Sequence, residues 1–243
     1  TGTRRPFIYR IHDLPDREKI AELSIYLKAL GHELPVNNDY RLSSKDLNVL
    51  FEKIRGKAEE ALVKTAAIRS MAKAAYSTQN IGHFGLAFPF YTHFTSPIRR
   101  YPDVLVHRLL KKYLAGGKLP ADELQRLEAA AAHCSKKEIE AQEAERDSVK
   151  LKQAEYWADR IGKVCEGTVS GVAEWGIYVE EKETKAEGLL KLRDLQDDFF
   201  ILERKNYRFV GERTGRKITV GDKIKVKIAG ADAERKIIDL LPA

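Results

Sequence analysis

The chain has 243 residues, 43 lysines and arginines against 36 aspartates and glutamates, and a formal charge of +7. With 43% hydrophobic and 33% charged residues it can bury one large core or two modest ones, which excludes a collagenous, mucin-like or largely disordered protein. The positive balance suits a polyanionic partner.

Thr1 to Pro6 is polar rather than a signal-peptide core, and the opening at Thr1 without methionine suggests a processed or truncated chain. After His12, Asp13 and Pro15, Ile20, Leu23, Leu27 and Leu30 recur at helical spacing up to Gly31, which predicts an amphipathic helix. Ser43 or Ser44 is placed to cap a second helix that turns Leu47, Leu50, Phe51 and Ile54 inward. The alanine-rich stretch from Ala61 to Tyr76 reads as a third. From Asn80 to Phe94 glycine, histidine and aromatics replace the helical pattern, so an extended or looped segment is expected. A helix follows from about Pro102 to Leu114, and a long one from Asp122 to about Arg160. In the latter, Ser135 and Glu138 form a capping-box pattern able to restart it after Cys134.

Beyond Gly162 the apolar period becomes two. Val164 to Val172, Trp175 to Glu180, Ala186 to Leu190, Lys223 to Ile228 and Lys236 to Leu240 are the strand candidates, and Arg204 to Lys217 reads as a loop insertion. Five short strands in about 80 residues predict a small OB-type barrel. The fold expected is therefore α+β, mostly helical over residues 1–161 and a five-stranded OB-fold β-barrel over 162–243. Cys134 and Cys165 have no CxxC pairing and no histidine at zinc-ligand spacing, so neither a disulfide framework nor a structural zinc is indicated and a reducing cytoplasm fits. No apolar run approaches the ~20 residues needed to span a bilayer, so no membrane partner is expected.

One string stands out: His93, Phe94, Thr95, Ser96, Pro97, Ile98, Arg99, Arg100, Tyr101, Pro102 and Asp103. Thr95 or Ser96 can act as a helix N-cap, with Pro97 at the first helical position. Pro102 cannot donate to the Ile98 carbonyl, so the first turn must break before the longer helix continues. Two guanidiniums on so short a turn can grip a phosphate bidentately. They can equally well pair with internal carboxylates, and physics alone does not choose.

The string is similar to the signature of the RNB family of exoribonucleases, which includes RNase R and RNase II. Tyr9, Arg10, Ile11, His12, Asp13 and Pro15 resemble an upstream pattern of the RNase R type, and Gly82, His83, Phe84, Gly85 and Leu86 resemble the run leading into the arginine turn. The resemblance implies the C-terminal part of an RNB catalytic domain followed by a ribosomal-protein-type OB RNA-binding domain. It implies processive 3′-to-5′ hydrolysis of single-stranded RNA to nucleoside 5′-monophosphates with a divalent metal, usually Mg2+, and no obligate protein partner. Arg99 matches the arginine that grips the RNA phosphate at the cleavage site, with Arg100 the immediate alternative. Glu145 resembles a glutamate that helps set the 3′-terminal nucleotide, although Glu138, Glu140 and Glu143 stand nearby and a solvated helix face also explains it. His93, Thr95, Ser96 and Tyr101 fall beside the RNA, and Tyr101 and Asp103 are expected to orient the turn.

The family's metal-binding aspartates lie upstream of these patterns, and no aspartate precedes Ile11. The chain is therefore expected to bind no catalytic metal by itself and to be inactive in isolation. In the barrel, Trp175 and Tyr178 stand where such domains carry base-stacking aromatics. Strict alternation puts Trp175 in the core unless Gly176 forms a bulge. Lys191 replaces a frequent histidine, and Asp232 and Lys236 match the remaining RNA-contact positions. A non-catalytic RNA-binding module is the alternative reading.

Overall fold

The computed structural model describes residues 5–35, 42–57 and 59–243, so Thr1 to Arg4 lie outside the described residues. Three hydrophobic cores organise the chain, and each gathers elements that the sequence separates.

The first is built from α1 (Arg17–Ala29), α2 (Ser44–Ile54) and α3 (Glu60–Ser70). The Asp16 carboxylate caps α1 by accepting from the Glu18 and Lys19 N–H groups, and Ser43 and Asp46 close a capping box on α2. The inward stripes meet as expected: Ile20, Leu23 and Leu27 pack with Leu47, Leu50 and Ile54, while Phe51 lies at the margin. The third helix stops at Ser70, short of the predicted Tyr76. The Ala72 carbonyl is taken by His12 Nε2 at 2.8 Å, and Ala75–Ser77 forms β2, antiparallel to β1 (Tyr9–Ile11). Tertiary partners here override the helix propensity of alanine.

The second core joins β1 and β2 to α4 (Tyr101–Leu114) and the first third of α5 (Ala121–Ala158), through Ile8, Tyr76, Val106, Leu109 and Leu127. Helix α5 runs 38 residues without a break, about 57 Å at 1.5 Å per residue. The restart expected at Ser135 and Glu138 does not occur. The Ser135 hydroxyl donates to the Ala131 carbonyl and accepts the Tyr76 N–H at 2.8 Å, and Glu138 pairs with Arg10. What looked like a cap is a pair of tertiary contacts.

The third core fills a closed barrel of β3 (Val164–Ala173), β4 (Gly176–Glu181), β5 (Glu187–Lys191), β9 (Lys223–Asp232) and β10 (Ile237–Pro242), in the order β10-β5-β4-β3-β9. All pairings are antiparallel except β5 with β10. Val169, Ile177, Val179, Leu190, Val226 and Ile228 turn inward. Residues 204–217, expected as a loop, instead contribute to an antiparallel sheet of β6 (Phe200–Glu203), β7 (Arg208–Gly211) and β8 (Lys217–Thr219). Phe200, Phe209 and Ile218 anchor it to the barrel core. Strands of three or four residues carry too few alternations to stand out from charged neighbours.

Trp157 and Tyr26 are among the residues that link the barrel to the helices. Trp157 near the end of α5 is 2% exposed inside the barrel core, and its indole N–H donates to the Thr184 hydroxyl at 3.2 Å. Tyr26 of α1 meets Tyr207 edge-on with ring centres 5.2 Å apart, beside Leu30 and Leu62.

Candidate functional site

The three sequence patterns converge in space. The His12 N–H donates to the Gly82 carbonyl at 3.0 Å, and the Phe84 N–H donates to the His12 carbonyl at 2.9 Å. The Gly85 N–H donates to His12 Nδ1 at 3.0 Å, so His12 holds both the β2 approach and the glycine-rich run. One residue pair further, the Arg10 N–H donates to the Tyr91 carbonyl, and the Thr92 hydroxyl donates to the Ile8 carbonyl. The segment leading to the arginines is thus laid along β1.

The arginine turn is a single hydrogen-bonded turn in which the Arg100 N–H reaches the Ser96 carbonyl at 3.0 Å. Arg100 then takes an extended conformation, φ −126° and ψ 110°, and serves as the N-cap of α4, with Pro102 in the first turn. The break demanded by Pro102 is present, but neither Thr95 nor Ser96 caps a regular helix. The Ser96 N–H donates to Asp103 Oδ2 at 2.8 Å.

Asp103 is the anchor. It is fully buried, and the same oxygen accepts from Arg100 Nη2 at 3.0 Å. Asp103 Oδ1 and Arg100 Nε are both buried without a partner, one acceptor and one donor, so the pair is a fork with only one prong closed. Leaving such atoms unpaired costs about 1–3 kcal/mol each. Arg99, one residue earlier, is exposed, and its side chain forms no ion pair or hydrogen bond among the described residues. The pairing with an internal carboxylate is therefore realised by Arg100, while the Arg99 side chain is left free. Tyr101 is exposed with no hydrogen-bond partner among the described residues, so the orienting role expected of it falls to Asp103.

His93 sits behind the turn. Tyr76 Oη and His93 Nδ1 share a hydrogen bond of 2.8 Å, and Arg10 lies 4.6 Å over the Tyr76 ring while forking onto Glu138. Loss of water contact, reinforced by the Arg100 and Arg10 guanidiniums and opposed by Asp103 and Glu138, holds the His93 pKa below 6.5. The Arg10, Glu138, Tyr76 and His93 network has no signature in the sequence, because a pair 128 residues apart leaves no local signal. Phe94 stacks on His107 at 4.2 Å, while the exposed Phe88 and Phe90 lie against Tyr91 and Tyr9.

Thr95 is exposed beside the turn. Glu145 lies on the solvated stretch of α5, and its side chain makes no hydrogen bond or ion pair among the described residues, so nothing ties it to the arginine turn. Among the described residues no group of three or more His, Cys, Asp or Glu side chains is placed to hold a metal ion. The buried carboxylates are engaged: Asp103 as above, and Glu181 by the Glu183 and Thr184 N–H groups and the Thr184 hydroxyl. This donor set does not fit a pair of divalent metals.

On the barrel, Trp175 and Tyr178 share one outer surface, with the indole N–H donating to the Tyr178 hydroxyl at 3.1 Å. Trp175 is 59% exposed and not in the core. It occupies the two-residue turn between β3 and β4, and the bulge falls across the ladder at Ser170 rather than at Gly176. Gly176 is required for another reason: a Cβ there would lie 2.3 Å from the Leu190 carbonyl oxygen. Lys191 stands across from Gly176 and pairs with Asp239 at 2.7 Å. Asp232 accepts the Arg235 N–H in the β9–β10 turn, and Lys236 pairs with Asp147 of α5. These two lie on the hairpin that reaches α5.

The RNB domain family matches residues 3–116, and the S1 RNA binding domain family matches residues 158–241. Ribonuclease R of Aquifex aeolicus (strain VF5) is 42% identical over 96% of this chain and 33% of its own length, and ribonuclease R of Thermotoga maritima is 40% identical over 97% and 34%. The chain thus spans about a third of the length of the curated relatives it matches. Among solved structures, Mycoplasma genitalium RNase R in complex with ribose methylated single-stranded RNA superimposes with a TM-score of 0.88 at 27% identity, over 99% of this chain and 38% of that one.

Proposed function

The chain is RNB-family and ribonuclease R-like, and from that premise we propose that it supplies the RNA grip of a 3′-to-5′ exoribonuclease. Residues 1–161 form the C-terminal portion of the catalytic domain, and residues 162–243 the RNA-binding barrel, with the tail of α5 reaching into it. The enzyme hydrolyses single-stranded RNA to nucleoside 5′-monophosphates in the cytoplasm, without an obligate protein partner. The observation that carries this reading is the division of labour in the arginine turn. Buried Asp103 fixes Arg100 and the Ser96 N–H, and so holds Arg99 outward as an unpaired guanidinium on a rigid turn. A planar fork held in this way suits a phosphate in transit through a channel. Arg99 meets the phosphate, Arg100 is a positioning residue, and Trp175 and Tyr178 give the strand a stacking surface further out. The hydrolytic magnesium is held by carboxylates other than those described, and Glu145 acts only where such a partner domain brings the RNA 3′ end to α5.

The test is a titration of the intact chain with a single-stranded RNA oligomer at several salt concentrations. Binding should weaken linearly in log–log form as salt rises, since Lys and Arg contacts release counterions. Magnesium should not produce 3′ trimming by this chain alone. Absence of binding at low salt removes the RNA reading, and trimming by the pure chain shows that it holds a catalytic metal site of its own.

A further inference from the structure

We infer that Phe199 and Trp175 form the two walls of a subsite for one nucleobase of single-stranded RNA, adjoining the Trp175–Tyr178 surface with which it shares Trp175, and floored by the barrel's own aliphatic side chains. The inference rests on the RNA-binding reading above and adds a place where a base is held.

A groove of about 650 Å³ lies between Trp175 and Phe199, with Leu189, Leu192 and Leu195 on its floor and Lys191 and Arg193 at its rim. Its size is in the range of small-ligand sites. Phe199 is 70% exposed and lines the same groove as Trp175, itself 59% exposed, so two aromatic faces are open to one space. The exposure does not come from a loose loop. The Phe199 carbonyl accepts the Glu212 N–H at 2.8 Å, and its own N–H donates to the Asp198 carboxylate at 2.8 Å. That carboxylate also accepts the Arg213 and Thr214 N–H groups and the Thr214 hydroxyl. The Thr214 hydroxyl first, then these N–H groups, hold the Asp198 carboxyl well below the usual carboxylate range, so it remains ionised and its charge is spent on four donors.

The opposite wall is equally fixed. The Trp175 carbonyl accepts the Leu192 N–H at 3.0 Å, the indole is tied to Tyr178, and neighbouring Glu174 pairs with Arg204 of the adjoining sheet. Two exposed aromatics on two immobilised backbones constitute a preorganised site, because little ordering remains to be done when a planar ligand enters. The rim identifies the ligand. Arg193 has only a 3.9 Å contact with Asp194, and its side chain is 78% exposed, which leaves a guanidinium to receive the phosphate attached to the base. Lys191 adds a second cation shared with Asp239. A flat π-surface carrying an anion matches this combination of walls and rim.

The test uses the intact chain and an unstructured oligoadenylate in which single abasic riboses are placed at each position in turn. Phe199→Ala removes no buried side chain, so its melting temperature should equal that of the parent. Its affinity for the intact oligomer should fall roughly 5- to 150-fold, the worth of one stacked base. Phe199→Tyr should restore binding. One abasic position should cost the parent the same factor and cost Phe199→Ala nothing more. If Phe199→Ala binds like the parent while Trp175→Ala is weakened, the subsite is wrong and the RNA reading stands. The subsite is equally wrong if abasic and Phe199 losses multiply at every position. If the parent binds no RNA, both fall together.

Discussion

At the scale of single residues, the arginine turn separates two side chains that sequence cannot tell apart. Arg100 works for the fold through Asp103, whereas Arg99 touches nothing that the fold needs. Arg99→Lys should therefore leave the melting temperature of this chain within the noise of a surface change, about 0.5 kcal/mol. In the complete enzyme it should lower turnover roughly ten-fold or more, from the loss of one charge-assisted bond of about 1.5–3 kcal/mol. RNA affinity should fall much less if Arg99 meets the scissile phosphate as proposed, because many cations share ground-state binding while one fork would meet the charge that develops there. Single-turnover cleavage beside filter binding reads both, and equal losses would make Arg99 an ordinary binding residue. Acid should act through the histidines behind the turn. The pKa values of His83 and His93 are both held below 6.5, burial being the first cause in each, with His12 and Arg10 adding to it at His83. Below 6.5 the unfolded chain takes up protons that the folded one refuses, so stability is complete above that value and is lost as pH falls through the folded values. Thermal melts from about pH 7.5 to 5 should show this decline, with a shallower slope in His93→Gln. An unchanged slope would assign the acid sensitivity elsewhere.

At the scale of elements, α5 shows most clearly what a helical pattern can and cannot announce. Its length and its two ends were legible, yet Ser135 and Glu138 mimicked a cap while serving β2 and Arg10. The five barrel strands were legible because β9 and β4 alternate over enough residues to declare an inner face. The strands β6 to β8 were not, since each supplies one or two core residues amid charge. Of the site, the break at Pro102 was readable from the motif, whereas the pairing of Arg10 with Glu138 and the groove that Phe199 shares with Trp175 are created only by the fold. Trp157 carries the clearest consequence: a residue on a helix belongs to the barrel core. Trp157→Ala should cost about 3–5 kcal/mol, as other deletions of large buried aromatics do. The loss should register in the barrel, whose Thr184 turn it also bonds. Hydrogen exchange resolved by strand checks this, and unchanged protection in β9 and β10 would show that the barrel closes without the helix.

At the scale of the whole molecule, the helices and the barrel form a ring with two joints. One is α5 itself, docked at its start on β2 and α4 and at its end in the barrel, with residues 141–150 exposed between. The other is the contact of Tyr26, Leu30 and Leu62 with Tyr207 and the barrel margin, where burial pushes the Tyr26 hydroxyl up to about 12. A ring with two joints keeps its geometry when either is loosened and loses it when both are, because each joint alone still limits how the other can swing. Ala144→Pro breaks only the solvated middle of α5, at about 3 kcal/mol of local helix free energy, and touches none of the three cores. Tyr26→Ala empties the second joint while leaving most of the α1–α3 core, which centres on Ile20, Leu23 and Leu27, in place. Each single variant should therefore keep the parent radius of gyration in small-angle scattering, whereas the double variant should expand with its secondary structure retained. In the complete enzyme the double variant should still bind RNA at the barrel but lose the coupling between that binding and the arginine turn, so that cleavage of long substrates falls toward that of short ones. A single variant that expands as far as the double would mean that one joint carries the geometry, and that the other is a contact without a mechanical role.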